Sequence, residues 1–165
     1  MTPLFYPPHP PRRETRAYRD VHARLVVTEN RPCAVCGVTN AVLASSRMRA
    51  SRARNPWNAS AIETHHAVVE WALMNAVDVH RFNELVVAPM RERADADAIY
   101  RRAFSSARMR AWIDHHPDNL MVLCDVHHRH AAVGIHAVSA PVWRVQPLLD
   151  ARTRRRLIAN TRRIA

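Results

Sequence analysis

The stretch Asn119-Leu120-Met121-Val122-Leu123-Cys124-Asp125-Val126-His127-His128 decides the fold of this 165-residue chain. Its apolar run, Leu120 to Leu123, predicts a short apolar strand or the entry to a zinc knuckle. The residues from Asp125 to Val133 predict a short helix that Gly134 stops. A cysteine and a histidine with two residues between them stand where the strand gives way to the helix. That spacing is typical of one half of a zinc site.

The other half of such a site lies near the start of the chain, at Cys33-Ala34-Val35-Cys36-Gly37. Two thiolates at this spacing can grip one tetrahedral zinc ion, and the glycine permits the tight turn that aims both sulfurs inward. Alone, the pair could equally be redox-active or simply buried. Together, Cys33, Cys36, Cys124 and His127 form a Cys₃His set that uses all three cysteines of the chain. The alternative is three unrelated buried thiols.

Two groups of histidines form a second pattern. His65 and His66 are adjacent in an apolar setting that predicts a short strand over residues 62–69, and His128 and His130 lie in the predicted helix. Imidazoles that come together from two elements can bind a divalent cation. Adjacent strand residues point to opposite faces, so His65 and His66 can serve one site only if the strand ends or bulges there.

These motifs resemble those of the HNH endonucleases. The resemblance rests on Cys33-x-x-Cys36, on Glu63-Thr64-His65-His66 and on the stretch from Asn119 to His128, and it spans residues 33 to about 136. It implies an α+β fold: a small ββα-metal (His-Me finger) core with a structural zinc site, a helical insertion and basic terminal arms.

The resemblance also implies roles for single residues. His66 matches the histidine that activates water as general base, and Asn119 matches the asparagine that braces the loop and helps to hold that base. His65 and His128 match ligands of the catalytic divalent metal, which is Mg²⁺, Mn²⁺, Ni²⁺ or Zn²⁺. His127 stands where many members have the fourth zinc cysteine. A common further helix ligand would fall at Ala131 or Ala132, which cannot bind metal, so His130, His136 or water would have to replace it.

The chain departs from a compact finger in one respect. Fifty-three positions separate His66 from Asn119, so residues 67–112 are expected to form a helical insertion. Helices are predicted over residues 14–29, 70–76 and 89–112, and Trp112 is expected to pack within the insertion. The predicted organisation is a Pro/Arg-rich arm and helix over residues 1–29, the nuclease domain over 30–145, and a basic C-terminal helix over 146–165.

Charge points to a polyanionic partner. The chain carries 25 arginines, no lysine and 14 acidic residues, which gives a formal net charge of +11. Arginine binds phosphate through a planar fork, so nucleic acid is the expected partner, and the resemblance to HNH endonucleases implies DNA. The expected contacts come from an arginine-rich loop and from the predicted helix: Arg47, Arg49, Arg52, Arg54 and Arg129. Trp57, beside that loop, either stacks on a base or packs inside the protein. A basic protein without any polyanion function is the plainer alternative.

Composition excludes several classes. No run of eighteen apolar residues is present, so no membrane-spanning helix is expected. Three cysteines are too few for a disulfide scaffold, which favours a reducing cytoplasm. The resemblance to HNH endonucleases implies the cytoplasm of a bacterial or phage-infected cell.

The expected function is metal-dependent hydrolysis of DNA, with a phage packaging protein or another protein as a further partner. The alternatives are an inactive zinc-stabilised nucleic-acid-binding module and a structural zinc protein. The target, nicking versus double-strand cleavage, the oligomeric state and the pathway stay open.

Overall fold

A computed structural model describes residues 13–138, together with Arg155, Arg156, Ile158, Ala159 and Thr161. Most of the predicted basic C-terminal helix over 146–165, and the proline-rich start of the predicted N-terminal arm, lie outside the described residues. The chain divides into two compact units. Of the described residues, the insertion unit contains 13–18 and 66–120, and the metal unit contains 19–65, 121–138 and the five described residues after them.

The described residues form an α+β fold with a two-stranded antiparallel sheet. The strands are β1, Ile62–His66, and β2, Leu120–Cys124. The α-helices are α1 Arg16–Ala23, α2 Asn40–Ala44, α3 Ser46–Arg49, α4 Val79–Phe82, α5 Ala88–Arg91, α6 Ser106–His115 and α7 Asp125–Arg129. Wider helical turns cover Arg24–Thr28 and Asn83–Val87, and 3₁₀ turns cover Trp71–Ala76, Ala98–Arg101 and Pro117–Asn119. None of the helices in the described part of the chain is long and apolar enough to span a bilayer.

The metal unit is built around the end of β2 and the start of α7. Val122, Leu123 and Cys124 are all at most 5% exposed, so this strand is buried on both faces, in line with its continuous apolar run. The chain then turns directly into α7. Asp125 secures the turn: its carboxylate accepts hydrogen bonds from the backbone N–H and the hydroxyl of Ser60, and its own N–H donates to the Ala61 carbonyl at 3.1 Å. The end of β2 is thereby fixed beside the residues that precede β1.

The insertion unit has an apolar core of its own. Trp112 and Ile113 of α6 are at most 1% exposed, and they belong to a cluster of seven buried residues: Phe82, Val87, Tyr100, Phe104, Met109, Trp112 and Ile113. The Trp112 indole N–H donates to the Tyr100 hydroxyl at 2.7 Å, so the polar edge of the ring is satisfied inside that core. The prediction that Trp112 packs within the insertion is therefore confirmed.

One predicted helix is wrong in its extent. The structure interrupts residues 89–112, because α5 ends at Arg91 and α6 begins only at Ser106. The physical reason lies in side chains that cap new turns. Asp97 accepts a hydrogen bond from the Ile99 N–H at 2.9 Å, and the Ser105 hydroxyl accepts one from the Arg108 N–H at 3.3 Å. Aspartate and serine favour such local bonds over a continuous helix.

The predicted helix from Asp125 to Val133 is also shorter than expected. α7 ends at Arg129, and residues 131–138 form turns. The His130 carbonyl accepts hydrogen bonds from the Val133 and Gly134 N–H groups, at 3.2 and 2.7 Å, which fold the chain back after the helix. Gly134 thus belongs to the returning turn rather than to the helix end.

Candidate metal centres

Three thiols and one imidazole meet in the metal unit. The ligand atoms of Cys33, Cys36, Cys124 and His127 all lie within 4.8 Å of one another, so this set could hold a metal ion. The Cys124 sulfur is 3.1 Å from His127 Nδ1 and 3.8 Å from the Cys36 sulfur. Cys33, Cys124 and His127 are at most 2% exposed. Thiolate and imidazole donors in a closed set of four, three of them buried, are those that structural zinc sites use.

Local backbone structure aims these donors. Gly37 has a φ of +77°, a left-handed conformation that favours glycine, and its N–H donates to the Cys33 carbonyl at 2.9 Å. The Ala34 N–H donates to the Val122 carbonyl at 2.9 Å, which ties the turn to β2. The Trp57 ring packs edge-on against the His127 ring with centroids 4.6 Å apart. Trp57 is only 5% exposed, so the packing role predicted for it is the one observed.

The thiols of the cluster differ in pKa. Hydrogen bonds from the Cys124 and Cys36 thiols lower the pKa of the Cys33 thiol well below its ordinary value. The same contact with Cys33 raises the pKa of Cys124. Because these thiols lie beside one another in a buried site, a second negative charge among them is unfavourable. A divalent cation would compensate those charges, so the donor set fits a metal.

A second cluster consists of three histidines. The ligand nitrogens of His65, His128 and His136 also lie within 4.8 Å of one another. The Nε2 atoms of His128 and His136 are 3.1 Å apart, and the His65 ring lies 5.3 Å from the His128 ring and 4.9 Å from the His136 ring, measured between centroids. Exposure increases across the set: His65 is buried, His128 is intermediate and His136 is exposed. The cluster is thus open on one side.

The Glu63 carboxylate accepts a hydrogen bond from one of these three histidines, His128. Its Oε2 lies 2.6 Å from His128 Nδ1. Since a carboxylate can only accept, Nδ1 carries the proton and Nε2 presents its lone pair toward His136. Burial lowers the pKa of His128, although the Glu63 carboxylate opposes that shift. The imidazole is therefore neutral near pH 7 and able to bind a cation.

His136 reaches the cluster because of the turn that follows α7. Gly134 lies against the His130 backbone, and a Cβ built on Gly134 would be 2.7 Å from both the nitrogen and the oxygen of His130. No side chain fits at that approach. The Ile135 N–H then donates to the His127 carbonyl at 2.9 Å, and this bond holds the returning segment along α7. Of the three replacements left open by the sequence, the structure brings His136 to the cluster, whereas His130 Nδ1 accepts a hydrogen bond from the Ala132 N–H.

The insertion unit holds the two residues predicted to be catalytic. His66 is 4% exposed, and its Nε2 lies 3.1 Å from the Asp114 carbonyl oxygen. A carbonyl only accepts, so Nε2 carries the proton in this contact. The ring also stacks on Tyr18, with centroids 6.0 Å apart. His66 is the last residue of β1, and a site shared by His65 and His66 stays a prediction.

Asn119 joins two backbone segments of the insertion unit. Its side chain is fully buried, and Oδ1 accepts hydrogen bonds from the N–H groups of Val68 and Val69, both at 2.9 Å. Its Nδ2 donates to the carbonyls of Val69 and Ile113, at 3.0 and 2.8 Å. The segment after His66 is thereby fastened to the end of α6, whose Asp114 carbonyl contacts His66.

The predicted DNA contacts are on the surface of the metal unit. Arg47, Arg49, Arg52 and Arg54 are exposed. Arg129 is exposed as well, but its guanidinium pairs with Glu63. Its contact with phosphate stays a prediction.

Two contributors escaped the sequence analysis. Glu63 had no role assigned to it, and its spacing of two residues from His65 places both on one strand face, which is the signal that could have found it. Asp114 contacts His66 through a backbone carbonyl, for which a sequence carries no signal. No model of a protein family, no curated protein and no solved structure matches this chain. Function is therefore inferred from the side chains themselves.

Proposed function

We propose that the protein is a metal-dependent endonuclease of the HNH type, with a ββα-metal core, that hydrolyses DNA phosphodiester bonds. The observation that carries the proposal is the convergence of His65, His128 and His136, with Glu63 hydrogen-bonded behind His128. Three imidazoles on one open side, one of them oriented by a carboxylate, form a typical catalytic rather than structural metal site. The order β1, β2, α7 supports the same assignment.

In this proposal the histidine triad holds a divalent cation such as Mg²⁺, Mn²⁺, Ni²⁺ or Zn²⁺. When bound, the cation supplies positive charge for the phosphate and the departing oxygen. His66 follows His65 directly in the chain and acts as the general base. Its Nε2–H is held by the Asp114 carbonyl, so Nδ1 takes the proton of the attacking water. Asn119 positions His66, since it fastens the segment that follows this histidine to the end of α6.

The Cys₃His cluster has a separate role in the proposal. A zinc ion held by Cys33, Cys36, Cys124 and His127 is structural, because the set is closed and three of its members are buried. His127 and His128 are neighbours on α7, so one short helix would supply ligands to both ions. Loading the structural site would therefore also fix the orientation of the catalytic one.

One observation favours a second function, a nucleic-acid-binding module without turnover. A general base must reach a water molecule, whereas the His66 side chain is 4% exposed. The two functions differ in whether a cation at the triad produces cleavage.

Relaxation of supercoiled plasmid tests the proposal. Zinc-loaded protein is incubated with Mg²⁺, Mn²⁺ or Ni²⁺ separately, beside His136→Ala and the control His80→Ala, since His80 is an exposed histidine of the insertion unit outside the triad. We expect metal-dependent relaxation by wild type and by His80→Ala, and none by His136→Ala. If folded wild-type protein binds plasmid but relaxes none with any of these cations, the binding module replaces the nuclease.

A further inference from the structure

A second feature of the metal unit is the segment of residues 46–58, which consists of α3 and the turns after it and is here called the arginine loop. It lies within residues 30–62, a run that contains five arginines and no acidic residue. The guanidinium groups of Arg47, Arg49, Arg52 and Arg54 are exposed, and none of them pairs with a carboxylate among the described residues. Four cations on one loop without a paired anion form a strong positive patch.

The arginine loop is held in one conformation from within. Asn55 is 3% exposed, and its Nδ2 donates to the carbonyls of Arg49 and Ala59, at 3.2 and 2.9 Å. Its Oδ1 accepts from the Ala59 N–H at 2.8 Å. Backbone bonds close the same loop, from the Asn55 N–H to Ser51 at 2.8 Å and from the Asn58 N–H to Asn55 at 3.2 Å. A loop tied in this way loses little conformational freedom when it binds.

Two adjacent cavities connect this loop with α7. One, of about 310 Å³, is lined by Arg49, Arg52, Asn55 and Asn58. The other, of about 370 Å³, is lined by Asn58 again and by Asp125, Arg129 and His130 of the helix region. Because Asn58 lines both, the two cavities are neighbours, and together they are here called the track between the arginine loop and the helix that carries His128.

We propose that the arginine loop is a preformed binding element for the phosphodiester backbone of DNA, and that Arg49 and Arg52 contact phosphates of the strand that leads to α7. This inference rests on the proposed function, because the nuclease assignment makes DNA the ligand of the track. The guanidinium forks supply paired donors for phosphate oxygens. Asn55 is a positioning residue that presents them.

Salt-dependent DNA binding tests the inference without any cleavage. Binding of a fluorescent 25-base-pair duplex is measured without added divalent metal, between about 0.05 and 0.3 M salt. Each phosphate contact contributes about 0.9 to the slope of log affinity against log salt, so Arg49→Gln/Arg52→Gln should flatten that slope by about 1.8. The matched control is Arg101→Gln/Arg102→Gln, which removes the same charge from exposed arginines of the insertion unit. We expect the control slope to change by less than about half as much.

A second variant separates position from charge. Asn55→Ala keeps every arginine and the backbone bonds of the loop, but it removes the three hydrogen bonds of the Asn55 side chain. We expect weaker DNA binding by about 10-fold, since the ordering of the loop must then accompany binding. Thermal unfolding is measured in parallel, and affinity is compared at a temperature where the variant is fully folded.

The outcomes are distinct. Equal slopes for the loop variant and its control overturn the inference, as does wild-type affinity in folded Asn55→Ala. Plasmid relaxation by wild type, measured separately, decides the nuclease proposal. A flattened slope together with an inactive wild type would keep the arginine loop as a DNA-binding surface and reject the nuclease.

Discussion

Asn119 is the residue whose removal tests structure and function together. Asn119→Ala leaves the Ile113 carbonyl, which is fully buried, without its partner and removes three further hydrogen bonds to Val68 and Val69. A buried polar group without a partner costs about 1–3 kcal/mol, and a lost hydrogen bond elsewhere about 0.5–1.5 kcal/mol. The expected loss of unfolding free energy is therefore about 3–7 kcal/mol. The total stability of a domain is about 5–15 kcal/mol, so the variant is expected to fold at low temperature.

The matched control is Asn83→Ala in the same unit. Asn83 also closes a loop through its side chain, with Nδ2 donating to Val79 and Phe104 and Oδ1 accepting from Phe104. Its loss is expected to cost about 2–5 kcal/mol by the same reasoning. Of these two asparagines, Asn119 alone bonds to the segments around His66. Plasmid relaxation at 20 °C should therefore fall roughly 100-fold in Asn119→Ala and stay near the wild-type rate in Asn83→Ala.

The assay combines urea unfolding, followed by circular dichroism, with the rate of plasmid relaxation. An unchanged unfolding midpoint for Asn119→Ala would refute the claim that the four hydrogen bonds of Asn119 stabilise the fold. Equal relaxation rates for the two folded variants would refute the positioning role.

Three further predictions concern the metal sites and the insertion core. Cys36→Ser, or a chelator added to wild type, should lower the melting temperature, because zinc binding at a buried site is coupled to folding; an unchanged melting curve and zinc content would contradict the structural site. Gly134→Ala should weaken divalent metal binding in calorimetry, because the added methyl group pushes His136 away; affinity equal to wild type would contradict the turn geometry. Burial raises the pKa of Tyr100, so the unfolded chain releases this proton first. The unfolding free energy should therefore be intact below about pH 10 and fall above it, less steeply in Tyr100→Phe; parallel slopes would argue against the shift.

The sequence predicts the metal unit better than the insertion. Cysteines and histidines at fixed spacing restrict the chain to few arrangements, and the structure brings Cys33 and Cys36 to Cys124 and His127 as the spacing suggests. A strand that is apolar throughout and followed at once by a polar helix is an equally clear signal, which is why β2 and α7 begin where expected.

The contacts that could not be predicted from the sequence depend on the conformation of the backbone. His136 joins His65 and His128 only because Gly134 allows a close approach to His130, and no spacing rule encodes that turn. The break between α5 and α6 arises because aspartate and serine caps outcompete helix propensity, a balance of about 1 kcal/mol per cap. The arm and the C-terminal arginines lie largely outside the described residues, so those expectations stay predictions.

The most direct measurement separates the two adjacent histidines of β1. Divalent metal binding by calorimetry and plasmid relaxation are measured on the same preparations of wild type, His65→Ala and His66→Ala. We predict that His65→Ala loses both metal binding at the triad and cleavage, whereas His66→Ala binds metal as wild type does and cleaves nothing. Plasmid relaxation by His66→Ala at the wild-type rate would contradict the account.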